Sequence, residues 1–153
     1  MNLSPQVTAE NDITLITLQN CPSELDFVGK VFQKISQLGV DVDMISLAPT
    51  QGTSTSISFT IFDNDLDKIL GFTSELHEKT NVKAVVSSGN CKISVYDPNM
   101  KTAPGVAAQV FLAASAASSD VRIITTSEVD ISLLVTAADF TETMQAVKER
   151  FGQ

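Results

Sequence analysis

The stretch Ser56–Ile61, which reads SISFTI, alternates small polar residues with large apolar ones. A two-residue period of this kind is typical of a β-strand with one buried face. Upstream of it the apolar spacing predicts a strand, a helix and a second strand, and downstream it predicts a helix and a last strand. The order is β-α-β-β-α-β, the split ferredoxin-like unit, in which both helices cover one face of an antiparallel sheet. The flanking elements are strand Ile13–Leu18, a helix from Phe27 to Leu38, strand Val40–Leu47, a helix capped by Asp63 with the apolar stripe Leu66, Ile69, Leu70, Thr73 and Leu76, and strand Val82–Val86.

The chain then repeats the same series of elements, with matching residues at matching places. Val31 aligns with Val110, and Ile57 aligns with Ile131 beyond a turn that is longer in the first copy, around Pro49–Thr55. A repeat of this length indicates a duplicated domain rather than a solenoid. The second copy comprises strand Ile93–Tyr96, helix Pro104–Ala117 with Val106, Val110, Phe111 and Ala114 on its buried stripe, strands Val121–Thr126 and Ile131–Val135, and a helix marked by Phe140, Met144, Val147 and Phe151.

The second copy is one strand short, because the chain ends directly after the helix that contains Phe151. An open sheet edge would remain there. The segment Pro5–Glu10 has strand character, and we expect it to cross over and complete the second sheet. The predicted fold class is therefore α+β, with two tandem ferredoxin-like units interlocked by the N-terminal strand. The expected boundaries are residues 11–88 for the first unit, and residues 3–10 together with 89–153 for the second.

The formal net charge is −8, with 18 acidic residues against 10 basic ones. This sign opposes binding to nucleic acid or to anionic membrane, since both depend mainly on Lys and Arg. No apolar run is long enough for a transmembrane helix, and Met1–Glu10 lacks the pattern of a signal peptide. Cys21 and Cys91 form no metal-binding or disulfide-type spacing. The sequence thus predicts a cytoplasmic protein with two reduced thiols and with no nucleic acid or membrane partner.

Few residues in the chain are suited to catalysis. His77, the single histidine of the sequence, is flanked by charged residues on a predicted helix and is typical of a solvated surface. No Gly-rich phosphate-binding motif is present. Asp63, Asp65 and Asp67 lack the Gly and the closing Glu of a cation-binding loop, which favours helix capping over metal binding. We therefore expect no catalytic residue, metal or cofactor in this chain.

Two loops that lead into helices offer backbone amides instead. The N-terminus of an α-helix favours a carboxylate because its N–H groups and the peptide dipoles point towards it. In the second copy, Pro104 suits the first helical turn and Gly105 allows close approach to the backbone. In the first copy, Ser23 and Asp26 have the spacing of a capping box. Both loops are equally compatible with helix starts that bind no ligand.

Several segments resemble the regulatory region of aspartate kinases. Thr125–Ser132 resembles that family's I-S-T-S-E-I-x-I-S segment, and Met100–Ala107 resembles its M-x-x-x-P-G-V-x-A. In the first copy, Val42–Ser46 resembles I-D-M-I-x, and Ile57–Thr60 resembles I-S-F-T. The segments occur in the family's order and span nearly the whole chain, roughly residues 7–151.

The resemblance implies a pair of ACT domains that sense an aspartate-derived amino acid, threonine or lysine, for feedback control. It implies that the effector lies between ACT units of two chains, so a homodimer or a kinase-bearing subunit is expected as partner. The effector carboxylate is expected at the helix start of the second copy, and its ammonium at a strand of the neighbouring chain. A second pocket is expected where the helix start of the first copy faces the end of the Val121–Thr126 strand. The residues implied to bind the effector are Met100, Thr102, Pro104, Gly105, Val106 and Ala107; Met44, Ile45, Ser46 and Leu47; Ser23, Asp26, Phe27 and Val28; and Thr125, Thr126 and Ser127.

The sequence also departs from the family pattern. Tyr96–Asn99 stands where the family has a Gly-rich turn, and Leu25-Asp26 stands where it has Pro-Gly. A carboxylate at Asp26 would repel a ligand carboxylate, so the second-copy loop is the stronger candidate. The K-F-G-G signature that begins the family's kinase domain is absent. A regulatory subunit, a fragment of a longer kinase and a freestanding amino-acid sensor acting on another enzyme or regulator all remain open on this evidence.

Overall fold

The computed structural model describes residues 5–153. The contacts between residues divide the chain into two compact units. The N-terminal unit is Asp12–Ser88, and the C-terminal unit combines Gly89–Gln153 with the residues up to Asn11. The chain passes from one unit to the other inside two long strands, β1 (Gln6–Pro22) and β4 (Lys83–Tyr96). Each of these strands therefore contributes to both units.

The N-terminal unit alternates strands and helices in the predicted order. Between β1 and β4 lie α1 (Leu25–Gln37), β2 (Ile45–Leu47), β3 (Ser54–Phe62), a short 3-10 helix (Asp63–Asp65) and α2 (Leu66–Thr80). The strand order is β2-β3-β1-β4, and β3 pairs antiparallel with both β1 and β2.

The core of this unit forms where the apolar stripe of each helix meets the alternating apolar residues of the sheet. The Phe32 ring of α1 meets the Phe59 ring of β3 edge-on, with the ring centroids 5.5 Å apart. Aromatic pairs prefer this geometry because the positive edge of one ring faces the negative face of the other. The buried members of the core are Ile16, Leu18, Cys21, Val31, Ile35, Val40, Ile57, Phe59, Ile61, Ile69 and Val82.

The C-terminal unit repeats the arrangement with α3 (Val106–Ala116), β5 (Val121–Thr126), β6 (Asp130–Thr136) and α4 (Ala137–Arg150). Its strand order is β1-β4-β6-β5, and β6 pairs antiparallel with both β4 and β5. Val7, on the first part of β1, packs against the buried clusters of this unit. The chain's N-terminal strand thus supplies the strand that the second copy lacks.

The predicted α+β fold class is confirmed, with two ferredoxin-like units and a crossed-over N-terminal strand. One difference is that β1 and β4 each merge two strands that the sequence predicted separately. Asp12, with φ 61°, and Gly89, with φ 72°, lie in the polar segments between the predicted strands. A residue in the left-handed conformation can form a bulge that bends a strand, and the strand continues on both sides of it. Polar residues that read as a turn therefore form part of a continuous strand.

The domain boundaries predicted for the two ACT units, 11–88 and 3–10 with 89–153, stay a prediction. Residues 3 and 4 lie outside the described residues.

The start of α2 differs from the prediction. The helix begins at Leu66 with Asp65 as its N-cap, so the prediction that Asp63 caps it is wrong. Asp63 instead begins the 3-10 helix, and its Oδ1 accepts a hydrogen bond from Thr14 Oγ1 at 2.6 Å. Thr14 is fully buried and needs a polar partner there, which draws Asp63 away from the helix start.

Two residues predicted on buried stripes lie at the surface. Leu70 is 42% exposed and Phe111 is 41% exposed, so their predicted burial is wrong. α3 is apolar on almost every side, and its apolar period therefore does not locate the buried stripe. β2 is also shorter than the predicted Val40–Leu47, because the Met44 N–H donates to the Thr60 side chain at 2.9 Å instead of pairing with a strand carbonyl.

Candidate functional site

The loop between β4 and α3 is built around a turn that begins at Asp97. Asp97 is 5% exposed, and its Oδ1 accepts a hydrogen bond from the Asn99 N–H at 2.9 Å. Pro98 occupies the first position of a 3-10 helix, Pro98–Lys101, where its fixed φ is favourable. The Asn99 carbonyl then accepts a bond from the Ala103 N–H at 2.9 Å. Hydrogen bonds therefore define the shape of this loop up to Ala103.

The helix α3 begins at Val106 with Gly105 as its N-cap. The prediction that Pro104 forms the first helical turn is wrong, because Pro104 lies in the turn before the helix. Gly105 has φ 98°, a left-handed value that glycine adopts without the steric cost of a side chain. The bond from the Gln109 N–H to the Gly105 carbonyl, 3.2 Å long, begins the helical ladder, so the first-turn N–H groups before it have no acceptor inside the helix.

The start of α3 has neither a side-chain cap nor an acidic residue in its first turn. The peptide dipoles therefore give this end of the helix a partial positive charge that no neighbouring carboxylate in the first turn offsets. The arrangement is suited to a ligand carboxylate.

The turn between β5 and β6 lies against the loop before α3. The Asp97 N–H donates to the Val129 carbonyl at 2.7 Å, and Lys101 Nζ lies 3.3 Å from Glu128 Oε2. Within the turn, Ser127 Oγ donates to an Asp130 carboxylate oxygen at 2.9 Å. The C-terminal unit thus brings together two segments that are far apart in the sequence.

The predicted residues Thr125, Thr126 and Ser127 lie at the end of β5 and in this turn. Thr125 is paired with Ser132 of β6. The Ser127 hydroxyl also accepts from the Val129 N–H at 3.2 Å, so its hydrogen-bonding capacity is used within the turn. Ser127 lies in the turn that bonds to the loop before α3 through Val129, and the role of Thr125, Thr126 and Ser127 in a second pocket stays a prediction.

The start of α1 in the N-terminal unit differs from that of α3. The helix begins at Leu25 with Glu24 as its N-cap and without a side-chain cap, so the capping box predicted for Ser23 and Asp26 is wrong. The Ser23 N–H donates to the Thr53 carbonyl at 3.2 Å. The longer turn between β2 and β3 therefore holds Ser23 beside the sheet and away from the helix start.

Acidic groups surround the start of α1. Glu24 is the N-cap and Asp26 lies in the first turn, where it forms an exposed ion pair with Lys30 at 2.8 Å. The Asp26 carboxylate raises the pKa of Lys30, mainly through their hydrogen bond. The N–H groups of Phe27 and Val28 already bond to the Glu24 carbonyl, at 3.0 and 3.4 Å. This helix start is less suited to a carboxylate than that of α3.

The predicted strand residues 44–47 divide into buried and exposed members. Met44 is 2% exposed, and its carbonyl accepts the Thr60 N–H at 3.0 Å. Ile45 and Leu47, on the edge strand β2, are 49% and 51% exposed, and Ser46 between them is also exposed. Alternate residues of an edge strand direct their backbone groups away from the sheet. Because Met44 directs its carbonyl towards β3, Ile45 and Leu47 direct theirs outward.

Sequence reasoning missed Asp97 and Glu128 as parts of this site. The Asp97-Pro98 pair is a recognisable turn signal. The sequence does not indicate that the turn bonds to Val129, because that contact depends on the pairing of β4 with β6.

Other reactive side chains lie away from this site. His77 is exposed, and its Nδ1 lies 3.1 Å from the Val82 carbonyl. Cys21 and Cys91 are buried free thiols, and burial raises the pKa of Cys21. Across residues 5–153, no His, Cys, Asp and Glu side chains cluster in a way that would hold a metal ion. No helix in the described part of the chain has the length and apolar character needed to cross a membrane.

Comparison with known proteins shows what this chain is similar to. A family model described as ACT domain matches residues 93–151. An aspartokinase from Bacillus sp. (strain MGA3) is 27% identical over 146 residues, which is 95% of this chain and 36% of that protein. The regulatory subunit of aspartate kinase from Thermus thermophilus, in its ligand-free form, matches with a TM-score of 0.87 and 25% identity over 95% of this chain and 96% of its own. The resemblance to the regulatory region of aspartate kinases is confirmed.

The similarity to aspartate kinases concerns a part of those proteins. The chain spans about a third of the length of the curated aspartokinases that it matches. The aspartate kinase from Synechocystis matches with a TM-score of 0.90 and 26% identity over 98% of this chain but only 27% of its own. The shared part has the ACT fold and is the regulatory rather than the kinase part.

Proposed function

We propose that this chain is a non-catalytic, cytoplasmic regulator of aspartate kinase that binds threonine or lysine for feedback control. The observation that carries the proposal is the start of α3, where first-turn N–H groups follow a left-handed Gly105 without a capping side chain. The regulatory subunit from Thermus thermophilus, which has nearly the same extent as this chain, supports the regulatory role.

The effector carboxylate is proposed to bind the N–H groups of Val106 and Ala107. These groups precede the first helical hydrogen bond, and the helix dipole favours an anion beside them. The predicted contacts of Met100 and Thr102 come from the loop that leads to Gly105. The start of α1 is proposed to bind the carboxylate less well, because Glu24 and Asp26 are acidic.

The effector ammonium is proposed to bind outward carbonyl groups of a β2 strand from a second chain. In β2, Ile45 and Leu47 direct these groups away from the sheet, whereas Met44 is buried and contributes no side chain. An exposed edge strand also presents unpaired N–H and C=O groups that another chain can bind. We therefore propose that the binding-competent form is a homodimer or a complex with a kinase-bearing subunit.

Regulation follows if the effector binds one arrangement of the chains better than another. A ligand shifts an equilibrium only by its difference in affinity for the two states. Inhibition then requires that the active state of the kinase partner goes with a different arrangement of the chains from the one that the effector favours.

Calorimetric titration of the purified chain with threonine, lysine and methionine tests the effector directly. We expect heat of binding with threonine or lysine, and a dissociation constant near the concentration of the free amino acid in the cell. Absence of binding by all three at millimolar concentration, in a sample shown to be dimeric, would remove the sensing function.

Substitution of Gly105 tests the place of binding. Gly105→Asp puts a carboxylate where the ligand carboxylate is proposed, so it should abolish binding, and a Cβ atom at this position meets no heavy atom within 4 Å. Any side chain at φ 98° carries strain of about 1–2 kcal/mol, which Gly105→Ala measures separately. Gly39→Asp, at φ 77° in the N-terminal unit, is the matched control and should leave the affinity unchanged.

Association separates the regulatory subunit from a freestanding sensor. Analytical ultracentrifugation of the chain alone and with the purified aspartate kinase of the same organism should show a dimer or a mixed complex. A chain that binds the effector and dimerises, yet neither joins nor inhibits the kinase, would favour a sensor that acts on another enzyme or regulator.

A further inference from the structure

Asp97 is a buried acidic residue that makes hydrogen bonds within the loop before α3 and to the turn beside it. Its side chain is almost inaccessible, with the residue 5% exposed. Its carboxylate accepts from the Asn99 N–H at 2.9 Å, its carbonyl accepts from the Met100 N–H at 3.1 Å, and its own N–H donates to the Val129 carbonyl at 2.7 Å. Burying a carboxylate costs free energy unless hydrogen bonds compensate, so a buried aspartate of this kind indicates a structural or functional role.

The bonds from Asp97 continue towards the start of α3. Asn99, whose N–H is held by the Asp97 carboxylate, uses its carbonyl to accept the N–H groups of Thr102 and Ala103, at 3.1 and 2.9 Å. Ala103 is followed by Pro104, which fixes φ, and by Gly105, the N-cap of α3. A continuous series of hydrogen bonds and a rigid residue thus connects Asp97 to the N–H groups at the helix start.

We propose that Asp97 is a positioning residue for the effector site, and this inference rests on the proposed function. Its carboxylate holds the loop in the binding conformation before the ligand arrives, which removes part of the ordering cost of binding. Asp97 does not contact the effector, because the residue is buried. It acts through Asn99 and the loop that follows.

An ion pair also joins the loop before α3 to the turn between β5 and β6, but it does not replace the positioning role of Asp97. Lys101 and Glu128 form an ion pair with side chains that are 57% and 81% exposed. Exposed pairs of this kind contribute little, because water screens the charges and two long side chains must be ordered. A bond to a buried carboxylate is stronger and is defined in direction.

Calorimetry on the dimeric chain with three variants tests the inference. Asp97→Asn keeps a side-chain oxygen that accepts from the Asn99 N–H, and it should bind threonine or lysine within about threefold of the original chain. Asp97→Ala loses the acceptor and should bind about tenfold more weakly or worse. Asp97→Ser supplies a weaker acceptor and should lie between them, which keeps the test open if the Ala variant does not fold.

Ser132→Ala is the control for general loss of stability. It removes a buried hydroxyl of the same unit that contacts Ser94 and takes no part in the loop. If Asp97→Ala lowers the affinity no more than a Ser132→Ala chain of equal melting temperature, the positioning role is rejected. Equal affinity of the Ser or Ala variant and the original chain also rejects it. An original chain that binds neither threonine nor lysine overturns the proposed function and this inference together.

Discussion

The hydroxyl groups of Ser94 and Ser132 lie 2.9 Å apart, on β4 and β6, where the two residues are direct partners in the sheet. The N-terminal unit has the same relationship between Thr17 and Ser58, 3.1 Å apart on β1 and β3. Ser58 and Ser132 also correspond in the sequence repeat. The duplicated domain has therefore kept a hydroxyl pair at one position of its sheet.

Removal of one member of the Ser94–Ser132 pair should be costly. Ser132→Ala should lower the free energy of unfolding by about 1–2 kcal/mol, because Ser132 is 3% exposed and Ser94 loses its partner. The double variant Ser94→Ala/Ser132→Ala should cost less than the sum of the single variants, since neither hydroxyl is then left unpaired. Urea unfolding measures all three.

The N-terminal pair supplies the comparison for this cycle. Ser58 is half-buried whereas Ser132 is 3% exposed, so Ser58→Ala should cost less than Ser132→Ala, because water can reach the place of the lost Ser58 hydroxyl. Strictly additive losses for Ser94 and Ser132 would show that their hydrogen bond adds nothing to stability.

A serine follows α3 in a backbone conformation that favours glycine. Ser118 has φ 53°, and the Ser119 N–H donates to the Ala114 carbonyl at 3.0 Å across this helix end. Ser118→Gly should raise the free energy of unfolding by about 0.5–1 kcal/mol, since it relieves the left-handed strain at a position where glycine commonly ends a helix.

A serine-to-glycine substitution inside α3 should instead lower the free energy of unfolding. Ser115 is exposed and helical, so Ser115→Gly should lower the free energy of unfolding by about 0.5 kcal/mol. Thermal or urea unfolding of the two variants is the measurement. A loss of stability in both variants would mean that the side chain of Ser118 contributes more than its backbone strain costs.

The parts of the fold that follow from periodic patterns were predictable from the sequence. The alternation in Ser56–Ile61 correctly predicted β3, and the stripe that includes Val31 and Ile35 correctly predicted α1. Phe111 was predicted incorrectly because α3 is rich in alanine and apolar on most sides, so several stripes fit the same residues. Periodicity identifies a helix well but locates its buried face only when one side is polar.

The candidate site was predictable in part. Gly105 is recognisable from the sequence because a glycine near a helix start allows close approach to the backbone, and the structure gives it a left-handed φ. Asp97 and Val129 were not recognised as partners, because their bond depends on the pairing of strands far apart in the sequence. The capping box at Ser23 failed for the same reason, since a strand turn distant in the sequence competes for its N–H.

The N-terminal strand is expected to stabilise the C-terminal unit. Val7 packs against two buried clusters of that unit, so Val7→Ala should lower the free energy of unfolding by about 1–2 kcal/mol. Deletion of residues 1–10 also opens a sheet edge, and it should cost several kcal/mol (roughly 3 or more) or cause aggregation. Thr8→Ala, at an exposed neighbouring position, is the control and should change stability by less than about 0.5 kcal/mol. A deletion variant that melts with the intact chain would contradict the role of the strand.

Cys21 should make the chain less stable at alkaline pH. The residue is fully buried, and burial raises the pKa of its thiol above the ordinary value of 9.0. Below that pH the thiol is protonated in both the folded and the unfolded chain, and its contribution to stability does not change. As the pH rises through 9.0 and towards the folded pKa, the unfolded chain loses this proton while the folded chain keeps it, so the free energy of unfolding falls.

The pH dependence of Cys21→Ala isolates this contribution. The exposed Lys30 and Lys79, whose pKa values are raised by Asp26 and Glu75, titrate in both chains and cancel in the difference. Urea unfolding between about pH 7 and pH 10.5 should give curves that converge above pH 9, with a difference in slope of at most about 1.4 kcal/mol per pH unit. Native Cys21 should also react with a thiol reagent only as fast as the chain unfolds, because the thiolate is the reactive form. Parallel stability curves for the two chains, or rapid modification of Cys21 in the native chain, would show that the thiol ionises as readily inside the fold as outside it.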